Sequence, residues 1–135
     1  MKKYANLFVC ILCLFVGGML YIFFRENTHL GKLFAPLPFI ASLKAFSETA
    51  AGNLMKYYLP DFLWCLSLGC GLQVIVGTKK TSILLCGFVA FLCGTLWEGM
   101  QFLGIISGTG DFWDISSCFL ASAICIIFNI KETKL

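Results

Sequence analysis

The chain has 135 residues, a net charge of +3 and a mean hydropathy of +0.89. Charged residues make up 13% of it, against roughly 25% in soluble domains. That excludes a water-soluble globule, and the length leaves no room for a membrane region plus a separate soluble domain.

In chain order, residues 5–24 form the first apolar run and carry no charge. A helix needs roughly 20 mostly apolar residues to cross a bilayer. Lys2 and Lys3 precede this run as in a signal peptide, but no small-x-small cleavage site follows it. A retained signal anchor is expected. The residues before Cys10 and Cys13 are bulky, which argues against a lipoprotein site.

A long loop, 25–58, follows. Leu43, Phe46 and Ala50 fall at helical spacing after Pro36 and Pro38, which predicts an amphipathic helix lying in the membrane interface. Three more apolar runs cover 59–76, 81–103 and 112–130. Strands are excluded on two grounds. An open sheet would leave unpaired edges in lipid, and the runs lack the alternation of a barrel. The expected fold is all-α, a four-helix polytopic transmembrane bundle forming a single domain over 1–135, with the lipid bilayer as its first partner.

The eight cysteines all fall inside these runs, where a thiol packs as a small apolar group. Gly17, Gly18, Gly69, Gly71, Gly87 and Gly94 are expected to let helices approach closely. Lys79 and Lys80 read as topology determinants, and no nucleic-acid signal is present. Lys2, Lys3, Lys79, Lys80, Lys131 and Lys134 lie in short segments on one side, whereas Arg25, Lys32, Lys44 and Lys56 are spread over the long loop. This density places both termini in the cytoplasm of a multi-pass cell-membrane protein.

With that orientation, Asp61 opens the second span, Glu98 nears the end of the third, and Asp111 and Asp114 open the fourth. All four acids meet at the outer end. Glu98 and Gln101 share a helix face, as do Asp111 and Asp114. Gly108 and Gly110 flank Thr109 and predict the reversal between the last two helices. Thr109 or Asp111 is expected to cap the fourth helix. Tyr57, Tyr58, Trp64, Trp97 and Trp113 mark the aromatic belt of that boundary.

Tyr58-Leu59-Pro60-Asp61-Phe62-Leu63-Trp64 with Ser67 resembles the first motif of VanZ-like membrane proteins. Glu98-x-x-Gln101 and Gly108-Thr109-Gly110-Asp111-x-x-Asp114 resemble their second. The resemblance covers residues 57–123. Many members carry an Arg before the Asp pair, where Gly108 to Gly110 stands here. The resemblance implies four or five membrane helices and a link to glycopeptide (teicoplanin-type) tolerance or the cell envelope. It implies no defined activity.

Asp61, Trp64, Glu98, Gln101, Asp111 and Asp114 are therefore the candidate ligand-binding residues. Carboxylates there would hold a cation, Ca²⁺ or Mg²⁺ included, or the amine of a cell-envelope precursor. Two alternatives stand beside this. One is an enzyme acting on a lipid-linked substrate, with Glu98 or Asp114 as general base and His29 nearby. The other is a structural subunit, with Glu98 bonded to Gln101 or Trp64 and Asp61 paired to Arg25 or Lys56. No nucleophile triad, zinc-ligand spacing or phosphate loop occurs, so no catalytic residue and no cofactor is assigned. A proton-coupled transporter would want acids at the membrane midplane rather than gathered at one end.

Overall fold

A computed structural model describes residues 2–24, 42, 45–106 and 110–132 of the chain, and these contain no strand. Four long helices follow the apolar runs closely: α1 (Lys2–Phe24), α3 (Leu59–Val76), α4 (Lys80–Phe102) and α5 (Phe112–Glu132). Each is long and apolar enough to cross a membrane. A shorter helix, α2 (Ala50–Tyr57), precedes α3.

The helix in the first loop starts later than the spacing of Leu43, Phe46 and Ala50 suggests. Residues 45–47 are helical, but the chain turns at Glu48 and Thr49. Thr49 then caps α2, its hydroxyl accepting from the Gly52 N–H at 3.1 Å. A side chain at position 52 would strike the backbone of Phe46 and Ser47, so the chain folds tightly back on itself there. Leu43, Pro36, Pro38 and His29 lie outside the described residues. Between α2 and α3 the helix breaks at Tyr58, with Pro60 in the first turn of α3. Proline suits that place, because a first-turn N–H has no intrahelical partner to lose.

The helices do not pack equally. α3, α4 and α5 all touch one another, while α1 packs on α3 and lightly on α2. The core between the three is made of Cys65, Ala90, Cys118 and Ala121, all nearly inaccessible. Small residues make this approach possible. A Cβ at Gly94 would sit 2.6 Å from the Cys118 sulfur, and one at Gly87 would collide with Ile126. Gly87, Ala90 and Gly94 thus form a shallow stripe on α4 that takes Cys118, Ser122 and Ile126 of α5. Gly69 and Gly71 serve the same purpose on α3, against Cys125 and Cys10. Among the described residues, Gly17 meets only ordinary contacts and Gly18 none, so no close helix approach is seen at either.

The cysteines are free and mostly buried, as their positions suggest. Cys65 Sγ lies 3.4 Å from the carbonyls of Ala90 and Cys118. At the end that holds the start of α1 and the close of α5, Asn6 Nδ2 donates to Gln73 Oε1 at 3.0 Å. Gln73 Nε2 in turn reaches Cys125 Sγ at 3.2 Å, and Asn129 Nδ2 donates to the Cys125 carbonyl at 2.8 Å. A lone amide in hydrocarbon is costly, and pairing removes most of that cost.

Candidate functional site

The opposite end of the bundle is built by two helix termini. α4 closes on a Schellman motif: Gly104 N–H donates to the Gln101 carbonyl and Ile105 N–H to the Met100 carbonyl. Gly104 has φ 68°, the left-handed conformation that favours glycine. The chain returns at Gly110, where a Cβ would lie 2.8 Å from the Phe102 ring and 2.9 Å from its backbone nitrogen. The Phe102 and Phe112 rings then meet at 5.3 Å, tilted by 48°. Gly108 and Thr109 fall outside the described residues.

This close return brings Asp111 under Glu98. Glu98 is only 3% exposed, and its Oε2 accepts the Asp111 backbone N–H at 3.3 Å. Asp111 caps α5: its Oδ1 accepts from Trp113 N–H at 3.1 Å and its carbonyl from Asp114 N–H at 3.2 Å. Among the described residues, Asp114 Oδ1 is buried and has no hydrogen-bond partner. Its carboxylate lies close enough to Asp61, Glu98 and Asp111 to feel their charges. Asp61 comes from the first turn of α3, and the Cys118 sulfur approaches its backbone carbonyl at 3.9 Å. The four acids, distant in sequence, therefore share one end of the bundle.

The other two candidates stand apart. Trp64 is 57% exposed, and its indole edge faces Gly17 of α1. Asp61 sits where the helix surface divides: four residues on, Cys65 enters the core, while three residues on, Trp64 turns to α1. Gln101 is half-buried, and its backbone carbonyl closes the Schellman turn. No Glu98–Gln101 or Glu98–Trp64 side-chain hydrogen bond occurs among the described residues, so Glu98 is held by the Asp111 amide instead. Lys56 lies over the Tyr57 ring at 5.2 Å. Arg25 and His29 lie outside the described residues.

The periodic reading located the acids but missed the backbone amide that holds Glu98. The glycine that forces this contact was visible as Gly110, although its neighbour Phe102 was not. As for metals, the described residues include no group of three or more His, Cys, Asp or Glu side chains placed to hold an ion. The arrangement instead offers a partly buried negative surface with one carboxylate oxygen still seeking a donor.

Fold and helix lengths together define an all-α, multi-pass membrane protein. Compared with protein-family models, curated proteins and solved structures, the chain matches none of them.

Proposed function

We propose that the chain is a VanZ-like membrane protein whose acidic end binds the ammonium group of an envelope-related ligand and contributes to glycopeptide (teicoplanin-type) tolerance. The observation that carries the reading is Asp114 Oδ1, buried, without a partner among the described residues and within reach of the charges of Asp61, Glu98 and Asp111. An unmet acceptor in such a place costs about 1–3 kcal/mol. An arriving N–H donor removes that cost and offsets the like charges together. An ammonium fits better than a bare divalent ion, which would want several oxygen ligands around it. Motif order along 57–123 supports the family assignment. Lysine density supports the orientation: Lys3, Lys79, Lys80 and Lys131 sit on exposed surface at the end away from the acids, which favours an outward-facing acidic end.

The test is susceptibility to teicoplanin in cells with the intact protein, Glu98→Gln or Asp114→Asn, at matched abundance. Lower susceptibility with the intact protein, lost in both variants, is the expected result. No change with the intact protein removes the tolerance link. Variants indistinguishable from the parent remove the binding role.

A further inference from the structure

The bundle core holds two sulfurs in contact. Cys70 Sγ of α3 lies 3.7 Å from Cys125 Sγ of α5, and both thiols are free. A covalent pair would stand at about 2.05 Å. Gly69 lets the two backbones come this close. A Cβ there would lie 3.7 Å from the Cys125 Cβ, and bridged cysteines hold their Cβ atoms about 3.5–4.5 Å apart. Cys65, earlier on α3, is placed differently. Its sulfur faces oxygen: the carbonyls of Ala90 and Cys118 and the Ser122 hydroxyl, each at 3.4 Å. Cys70 and Cys125 face one another. A buried thiol is usually inert, but Gln73 sets this pair apart. Its Nε2 donates to the Cys125 sulfur at 3.2 Å, while Asn6 holds its Oε1 and so aims the amide. An N–H pointed at sulfur supports the negative charge that gathers there during attack on an oxidant.

Burial chooses the oxidant. Cys70 is 3% and Cys125 1% exposed, which shuts out a bulky disulfide such as that of glutathione. The two residues lie about 9 and 11 Å from the ends of their helices at Val76 and Glu132, at 1.5 Å per residue. Helix ends open far more readily than cores, and such opening admits a molecule little larger than water. We propose that Cys70 and Cys125 are a redox-sensitive dithiol, closed by hydrogen peroxide into a disulfide that staples α3 to α5. The Cys125 sulfur attacks one peroxide oxygen and the O–O bond breaks. That sulfur becomes a sulfenic acid, and the other oxygen leaves with the thiol proton as water. The Cys70 sulfur then attacks the Cys125 sulfur, and the sulfenic hydroxyl departs with the Cys70 proton as a second water. Two thiols lose two electrons, and one peroxide gains them. The bridge encloses all of α4 and locks the three-helix core beside the point where Asn6 of α1 joins it.

The full-length protein, reduced, in phosphatidylcholine nanodiscs and treated with hydrogen peroxide provides the test. Remaining thiols are blocked in denaturant, and bridges are mapped by peptide mass spectrometry. The expected product is an intramolecular Cys70–Cys125 bridge, reversed by dithiothreitol, with a rise in the unfolding midpoint while it is closed. Glutathione disulfide in place of peroxide should leave both thiols free. Cys70→Ala and, independently, Cys125→Ala should each abolish the bridge and the rise. If one of them fails to assemble, the other variant and the mapping in the parent still decide. Cys93→Ala, at an exposed thiol, should close the bridge as the parent does. Absence of the Cys70–Cys125 bridge under peroxide, a bridge at Cys65–Cys118 in its place, a product joining two copies, or equal closure by glutathione disulfide overturns the proposal.

Discussion

The two ends of the bundle bury polar groups in opposite ways. At one end the groups are amides and thiols, and they satisfy one another: Asn6 with Gln73, Gln73 with Cys125, Asn129 with the Cys125 carbonyl. At the other they are carboxylates, which have no donors to exchange among themselves. Glu98 borrows a backbone amide, and Asp114 Oδ1 has no partner among the described residues. Charged groups are also dearer in a membrane, about 2.5–3.5 kcal/mol at a helix centre on insertion scales. A closed network is what stability alone would produce. An open one holds its cost in reserve for a partner.

Substitutions can break or sharpen that contrast. The largest effect is expected where the helices themselves are forced apart. Gly94→Leu must displace Cys118 and the whole of α5, so both ends should suffer; overpacking costs about 1–3 kcal/mol or more. The unfolding midpoint in detergent should fall, and amine binding should fall with it. Gln73→Leu comes next. It strips Asn6 of its acceptor and should cost about 1–3 kcal/mol by the general rule for buried partners. Reported averages within membranes are nearer 0.6 kcal/mol, and a double-mutant cycle with Asn6→Leu reads the coupling directly. Ligand binding should survive wherever the protein stays folded.

The acidic end should behave in reverse. Asp114→Asn removes one of four converging charges and adds an N–H that can donate to its neighbours. Thermal stability should hold or rise by up to about 1 kcal/mol, while amine binding is lost. A clear fall in stability would make the cluster structural and erase the contrast. Asp111→Ala tests the cap between these regimes: losing the bond to Trp113 N–H should cost about 0.5–2 kcal/mol, with Asp111→Asn close to the parent. The smallest effect is expected at Thr49→Ala, which removes a cap from an exposed eight-residue helix. Roughly 0.5–1 kcal/mol of local helix stability is at stake, read as faster amide exchange over Gly52 and Asn53.

Much of this was legible from residues alone. Hydropathy and length locate all four spans to within a few residues, because lipid leaves a backbone few choices. The positions of Glu98, Asp111 and Asp114 at the ends of the predicted spans, with the reversal at Gly108–Gly110, bring them to one level. Periodicity does not choose a neighbour, however. Trp64 and Cys65 are adjacent in sequence, yet one faces α1 and the other the core, and only the packing of α3 between its partners decides which. The amide network had a sequence signal that went unread: Asn6, Gln73 and Asn129 are carboxamides in otherwise apolar runs. Nothing local says that Asn6 and Gln73 meet, since the contact joins helices sixty-seven residues apart. Likewise α2 begins where a hydroxyl at Thr49 can cap it, a choice that apolar spacing does not register.

The lopsided packing of α1 has a bearing on how the protein is made. α1 is the most apolar of the four spans and the least enclosed by protein. It is equipped to reside in lipid alone before its partner is synthesised. α1 carries one amide, Asn6, whereas α3 to α5 carry the serines, the carboxylates and the other amides, and each is a poorer solo candidate for the bilayer. Their membrane entry is best achieved in company, with the short α3–α4 turn at Gly77 to Lys79 favouring insertion as a hairpin. Assembly then reduces to docking a finished anchor onto one face of α3. A chain divided in the 25–58 loop and expressed as two pieces should therefore reunite in the membrane.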